Sequence, residues 1–446
     1  MKRKTIIRSI VLLALVGISV WVWSRWNVWF GNPTESSYVS SSIPSRILLT
    51  FGDSIGENRN VSWQCDSVLL PSHLELQDLE GTIVQSIQAK GELYESPGGK
   101  SAYYVARLRG LQSGHQYRYR VCTNEQYSDW YAFTIHPHHD TTEFLFVGDI
   151  QDTIAGIANQ LLKQAFQQHP HSEFLVCGGD LIERPLDCYW DEMFKTLDSI
   201  AQVIPILTIT GNHDYWKGVI CQLDPRFWLV NSFYQDSRVD DNQVFSVKYD
   251  NIQFFCLDSN REFWYLWQQR DWLKHQLADS DAKWQILVLH HPLYSLKGAM
   301  NNLIQRWMFD DLLQEYGVDL VLQGHEHAYA RMRTEGKTIP VYTVSHCSPK
   351  NYRIEFDERF DRFGSGSRYY QKVSIHGDTL FMTAYDAISG MLYDSLQIQK
   401  QGHQTTVVDL AQSIPEVITF IPDVNNRKDR QFAERIQTYK DKKGIK

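Results

Sequence analysis

Five short segments of this chain end apolar, strand-like runs in residues able to ligate metal or handle phosphate. They read Val147-Gly148-Asp149-Ile150-Gln151, Gly178-Gly179-Asp180-Leu181-Ile182-Glu183-Arg184, Gly211-Asn212-His213-Asp214, Leu289-His290-His291-Pro292 and Gly324-His325-Glu326-His327. Each follows a run of the type Phe144-Leu145-Phe146 or Leu320-Val321-Leu322, and the repeated placement makes the set far more specific than any member. A pair of divalent or trivalent cations needs hard oxygen and imidazole ligands, with one carboxylate able to bridge. Asp180 suits the bridge. Asp149, His327 and the amide oxygen of Gln151 would complete one shell, and Asn212, His290 and His325 the other. Water on such a pair ionises near neutral pH, giving a metal-bound hydroxide as nucleophile, while the cations neutralise a phosphoryl group during in-line displacement. His213, beside a ligand, is the candidate acid for the leaving oxygen, with Asp214 to fix its tautomer.

This pattern resembles the calcineurin-like metallophosphoesterases, and within them the purple acid phosphatase branch, over roughly residues 44–398. The resemblance carries Asp149, Asp180, Asn212, His290, His325 and His327 onto ligand positions and His213 onto that of the outer-sphere acid. It implies two bound metal ions (iron, manganese or zinc) and hydrolysis of phosphate monoesters. The same metal site also serves phosphodiesters or nucleotide anhydrides in principle, and a non-catalytic surface binding role is a third reading that the intact ligand set disfavours. Three departures stand out. Purple members carry a tyrosine three residues after the bridging aspartate, whose charge transfer to ferric iron gives the colour; Glu183 stands there. Gln151 occupies a place where many non-purple relatives have histidine, and an amide oxygen suits a hard ion. After His290 the chain reads Leu293-Tyr294-Ser295-Leu296-Lys297, without the extra histidines that line the pocket of plant relatives. Glu183-Arg184 also resembles the phosphoprotein phosphatase version of the motif. There Arg184 would clamp phosphate bidentately, unless Pro185 turns a solvated pair away from the site.

The elements that must position these residues emerge from periodicity. From Glu143 onward strands alternate with helix-like runs at Thr153 to Gln168, Arg270 to Ala278 and Asn302 to Tyr316, which argues for an α/β domain with its site at the carboxyl ends of strands. Paired β-rich runs at Val244 to Tyr249 with Ile252 to Leu257, and Thr379 to Tyr385 with Met391 to Gln399, suggest two sheets packed face to face under flanking helices. The expected catalytic domain spans 141–400, followed by a tail, 401–446, holding a peripheral strand and a loose helix. Before it, residues 44–136 show short alternating strands typical of a small all-β sandwich. Leu108-Arg109-Gly110-Leu111 and Gly114 ahead of Tyr117 resemble the turn and tyrosine strand of fibronectin type III-like domains, which precede the catalytic domain in plant-type purple acid phosphatases. Phe51-Gly52-Asp53-Ser54 mimics the nucleophile block of Gly-Asp-Ser esterases. No histidine has an aspartate three residues before it, so Ser54 is read as turn chemistry.

Lys2-Arg3-Lys4 and Arg8 precede an apolar run from Ser9 to Trp23, the charge order of a secretory signal or signal anchor occupying residues 1–30. Fifteen residues of helix span only about 22 Å against a ~30 Å hydrocarbon core. Trp21, Trp23, Trp26 and Trp29 form an interfacial belt. Either fate places the rest of the chain on the exported side, periplasmic or extracellular. Residues 31–43, with Pro33 and a serine run, read as a flexible linker.

Composition bounds the partners. A chain of 446 residues with 43% hydrophobic residues supports sizeable cores, and a net charge of −8 disfavours a nucleic-acid-binding face. The substrate is then a phosphorylated small molecule or nucleotide. Trp216, Trp228, Phe263, Trp264 and Trp267 in the loops near the motifs either stack on a ring or belong to the core. Among seven cysteines, Cys65 with Cys122 and Cys188 with Cys221 are candidate bridges. The run His136-Pro137-His138-His139-Asp140 reads as an interdomain linker with solvated imidazoles.

Overall fold

The computed structural model describes residues 2–52, 56–138, 140–232, 239, 243–402 and 404–445. Ser54 and His139 lie outside the described residues. Two sheets face each other across the main core. One has seven strands, of which Ile252–Cys256, Trp284–Val288, Leu320–Gln323 and Val341–Val344 are parallel and fully hydrogen-bonded in register. The other carries the parallel trio Thr141–Val147, Phe174–Cys177 and Ile206–Thr208, flanked by the antiparallel run Tyr369–His376, Thr379–Asp386, Leu392–Gln401 and Gln404–Asp409. These central strands are near-continuous apolar runs because both of their faces are covered. Phe144 stacks on Phe174 at 4.9 Å and meets Phe254 of the opposite sheet edge-on at 5.3 Å, so aromatic packing joins the layers. The pairings 245–249 with 252–256 and 379–386 with 392–401 agree with the patterned runs in the sequence.

The N-terminal sandwich is built from the expected strands, including Ser45–Phe51, Arg59–Gln64, Gly99–Leu108, Gln116–Thr123 and Tyr131–Thr134. Its core centres on Trp63, Leu74, Tyr119 and Phe133. The Gln112 amide donates to the Tyr117 hydroxyl at 3.0 Å, tying down the turn before the tyrosine strand. One sheet of this sandwich does not stop at its own border. Ser45–Phe51 pairs in parallel with Ile206–Thr208 through Thr50 and Ile206, and Leu49 N–H donates to Ala201 O at 2.8 Å, so a single eleven-stranded sheet runs through both regions. Alternation alone cannot reveal this, because an edge strand and an internal strand share the same period.

Three further features differ from expectation. The N-terminal helix spans Lys2–Phe30, longer than the Ser9–Trp23 run, and its apolar stretch covers the 24 residues Ile7–Phe30. Residues read as a flexible linker are pinned: Glu35 is buried against Arg226 at 2.7 Å, and Tyr38 N–H donates to Gly98 O at 3.0 Å. All seven cysteines are free thiols, so neither anticipated bridge is present. The tail forms the strand Gln404–Asp409 and the helix Arg427–Lys443, whose Phe432, Ile436 and Tyr439 join the second core.

Candidate metal and phosphate site

Each ligand candidate sits two to four residues beyond the carboxyl end of a parallel strand, which collects the five loops at one edge of the two sheets. Four of these residues hold left-handed backbone: Asp149 (φ 47°), Asp180 (φ 52°), His325 (φ 73°) and His327 (φ 47°). Such conformations cost about 1–3 kcal/mol each in non-glycine residues and persist where surrounding structure enforces them. Gly211 shows how tightly. A methyl group there would collide with the Asp180 backbone nitrogen and carboxylate.

The side chains converge. Asp149, Asp180 and His290 each offer a ligand atom within 4.8 Å of the others, and all three are buried. His290 Nε2 lies 3.4 Å from Asp180 Oδ2 and 3.1 Å from Asn212 Oδ1. His325 Nδ1 lies 2.7 Å from Asn212 Oδ1, and His327 Nε2 is 3.5 Å from Asp149 Oδ1 and 3.4 Å from the Gln151 amide. Every sequence-predicted ligand is therefore in one cluster. Their second bonds fix their orientation: His290 Nδ1–H donates to Gly178 O at 2.8 Å, His325 N–H to Asp149 Oδ2 at 2.6 Å, and His213 N–H to Asp180 Oδ1 at 2.8 Å.

The electrostatics suit cations. Burial, together with the charge of Asp180, holds the Asp149 carboxyl well above its usual range, since two adjacent buried carboxylates resist joint ionisation. Burial opposes charge on His290, yet Asp180 more than offsets it and pushes the imidazole up to about 9, so the carboxylate pair draws positive charge to this point. Burial pushes His327 down to about 3 and lowers His325, keeping both as neutral donors of a lone pair. Asp149 Oδ1 and Gln151 Oε1 are buried with no hydrogen-bond donor among the described residues. Unpaired buried oxygens cost about 1–3 kcal/mol each, which a bound cation would offset. The donor set fits bound metal.

Next to Asn212 a cavity of about 230 Å³ is lined by His213, Glu183, Arg184, Tyr215 and Lys217, and also by Asn32 and Pro33. His213 Nδ1 lies 2.6 Å from Glu183 O, so that nitrogen donates and Nε2 is left to exchange a proton. Asp214 does not touch His213. Its Oδ2 accepts from Gly211 N–H at 2.7 Å, and the Glu183 carbonyl takes the tautomer-fixing role expected of Asp214.

Several contributors escape sequence reasoning. Glu326, between two ligands, turns away from them and accepts from Ser295 Oγ at 2.6 Å and from the Leu296 amide, anchoring the loop after His291. That loop delivers Lys297, half-buried, whose ammonium lies 4.1 Å above the Tyr352 ring; Tyr352 in turn stacks on His327 at 4.2 Å. Burial lowers the pKa of Lys297, while Glu326, Asp149 and Asp180 favour its charged form. Lys350 grips Glu183, and its carbonyl accepts from His327 Nδ1 at 3.3 Å. These residues lack metal-ligand spacing, and the only signal for Lys297 is a cation standing where relatives place histidines.

Comparison with known proteins agrees with this geometry. Residues 142–329 match the calcineurin-like phosphoesterase family and residues 44–135 the purple acid phosphatase N-terminal domain. The chain is 25% identical over 328 residues to purple acid phosphatase 18 of Arabidopsis thaliana, covering 71% of each chain. It is 24% identical over 308 residues to the phosphoenolpyruvate phosphatase of Allium cepa, covering 65% of this chain and 63% of that one. Purple acid phosphatases 23 and 20 of Arabidopsis thaliana are matched over only 35% and 40% of their lengths. In fold, the chain is similar to the solved structure of PhoD, with a TM-score of 0.61, 13% identity, and coverage of 92% of this chain and 100% of that one. With its purple acid phosphatase N-terminal domain followed by a calcineurin-like phosphoesterase domain, this chain is a purple acid phosphatase-like member of the metallophosphoesterases.

Proposed function

We propose that the chain is a dinuclear-metal phosphohydrolase of phosphate monoesters, exported and held to the membrane by its N-terminal helix. The observation that carries the reading is the meeting of Asp149, Asp180 and His290 within 4.8 Å, beside buried oxygens that lack donors. Asp180 would bridge two ions, one held further by Asp149, His327 and Gln151, the other by Asn212, His290 and His325. When bound, the pair supplies Lewis-acid activation of water and neutralises the phosphoryl oxygens. The chain's own groups do the rest. His213, with Nδ1 fixed on Glu183 O, presents Nε2 to the leaving oxygen and donates the proton that the departing alkoxide needs. Lys297 and Arg184 would supply cationic donors toward the phosphate, each worth about 1.5–3 kcal/mol if hydrogen-bonded to it. The cavity beside Asn212 and His213 would receive the esterified group, and the phosphatase relatives favour monoesters over the phosphodiester and anhydride alternatives. The name of one relative places phosphoenolpyruvate among the esters to assay.

The test strips the protein of metal and reloads it separately with manganese, iron and zinc. Hydrolysis of a phosphate monoester and the matching diester is then followed beside Asp180→Asn. Metal-dependent monoester turnover, lost in the variant while its circular dichroism is retained, is the expected result. Tight metal binding without turnover on any ester would refute the enzymatic reading.

A further inference from the structure

The N-terminal helix does not pack on the protein: none of the residues in its most apolar stretch is buried. Its 24-residue apolar stretch is about 36 Å long, enough for a ~30 Å hydrocarbon core. The segment immediately after the helix is fastened to the rim of the catalytic cavity. The Asn32 side chain closes both hydrogen bonds of the Lys217 peptide, at 2.8 Å each, and Lys217 Nζ reaches back to Val28 O at 3.4 Å. Asn32 and Pro33 are themselves cavity wall, together with His213. Two or three residues of chain reach at most about 7–11 Å. The polar zone on each side of a bilayer is about 5–8 Å deep. A cavity wall that close to the end of a spanning helix therefore sits at headgroup level.

The surroundings of the mouth suit that level. The hairpin that carries Lys217 presents Val219, 77% exposed, and Ile220, 60% exposed, at its tip. On the loop side, Ser259 lies 3.1 Å from His291 and is bonded by Gln305, and the two helices that begin there expose Phe263, Trp264, Trp267 and Trp307. Phe263 stacks on Trp307 at 5.9 Å rather than entering the core. Exposed tryptophan is the composition of a membrane interface, and a soluble enzyme rarely leaves such a cluster uncovered.

We infer that the catalytic mouth lies against the bilayer that residues 7–30 enter, and that its substrate is a phosphate monoester carried by a lipid of that membrane. The inference rests on the anchored phosphohydrolase reading above. In the reaction, water adds to phosphorus and gives up one proton, the phosphorus–oxygen bond to the lipid breaks, and His213 passes a proton to the lipid alkoxide and regains the one the water gave up, leaving inorganic phosphate and a lipid alcohol. Confinement to the surface raises the effective substrate concentration without any new contact.

The experiment reconstitutes the full chain into phosphatidylcholine vesicles containing phosphatidic acid and compares phosphate release with that from glycerol 3-phosphate in solution. Two variants accompany it: Val219→Ser with Ile220→Ser, and Trp264→Ser with Trp267→Ser. A third protein has a glycine-serine spacer inserted after Phe30. We expect each to lose at least about tenfold on phosphatidic acid, in line with lost surface confinement, while glycerol 3-phosphate turnover is unchanged and reports an intact fold. Equal losses on both esters, or none on either, would overturn the inference alone. Absence of turnover on both esters by the unaltered protein, or its release from vesicles by alkaline carbonate, would instead strike the reading on which the inference rests.

Discussion

The Glu183 carboxylate accepts two hydrogen bonds from the Lys350 ammonium, at 2.5 and 2.6 Å, and the Lys350 carbonyl accepts from His327. Where purple relatives place a tyrosinate on iron, this chain has an ion pair that braces a ligand from outside. The charge-transfer donor is missing from that position. Iron-loaded protein should accordingly show no tyrosinate-to-iron band in its visible spectrum. A band would point to Tyr352, stacked on His327 at 4.2 Å, as a replacement donor. That outcome is disfavoured because burial, then Asp149 and Asp180, push its hydroxyl up to about 12.

His213 owes its tautomer to a backbone carbonyl, so its Nε2 is placed without help from any carboxylate. His213→Ala should slow alkyl phosphates by about 10²–10⁴, the usual range for a general acid, and nitrophenyl phosphates much less. Asp214→Asn should affect both ester classes equally, since Asp214 braces the Gly211 turn. Rates plotted against leaving-group pKa for both variants separate the two roles. A parallel loss for His213→Ala would remove it from acid catalysis.

Much of this site was legible because metal ligation demands particular residue types directly after buried strands. That signal survives in Asp149, Asp180, Asn212, His290, His325 and His327 without knowledge of the fold. Lys297 and Tyr352 were not legible, since a cation and an aromatic in loops have many ordinary uses; only the Glu326 anchor and the stack on His327 bring them to the cluster. The extension of one sheet through Thr50 and Ile206 was hidden for a different reason. Backbone pairing between distant strands leaves no mark in side-chain periodicity. Residues 31–42 looked like a tether because Pro33 and the serines outweigh one glutamate, and Glu35 becomes structural only through Arg226, far along the chain.

The interdomain run contributes a pH dependence. His138 Nδ1 lies 2.6 Å from Asp250 Oδ1 and Nε2 3.3 Å from Glu57 Oε1. The bond to Asp250 is the main cause of its raised pKa. A raised histidine stabilises the fold fully below its unfolded value, about 6.5, and the contribution is lost as pH rises through the folded value. The ring is largely exposed, so the effect is below about 1 kcal/mol. Denaturation midpoints from pH 5.5 to 9 should fall more steeply for the native sequence than for His138→Ala. Identical slopes would show the pair to be fully screened.

The segment after the helix should behave as part of the catalytic body. Arg226 is wholly buried, with Asp224 at 2.8 Å, Glu35 at 2.7 Å and Pro185 O at 2.7 Å as partners, and its guanidinium lies 4.9 Å from the Tyr94 ring. Glu35 also accepts from the Asp187 amide at 2.9 Å, joining the segment to the loop that follows Arg184. Deleting residues 1–30 removes a helix whose apolar stretch is not buried and should change stability by no more than about 0.5 kcal/mol. Extending the deletion through residue 38 withdraws one anion from a buried cation. Breaking a buried pair costs about 3–5 kcal/mol, though water entering the vacated groove will recover part of it. The longer deletion should therefore unfold at clearly lower denaturant and raise KM through the loosened Pro185 turn, whereas Glu35→Gln, which keeps the groove filled, should fall between the two. If both deletions unfold alike, Asp224 alone satisfies Arg226 and the segment is a tether after all.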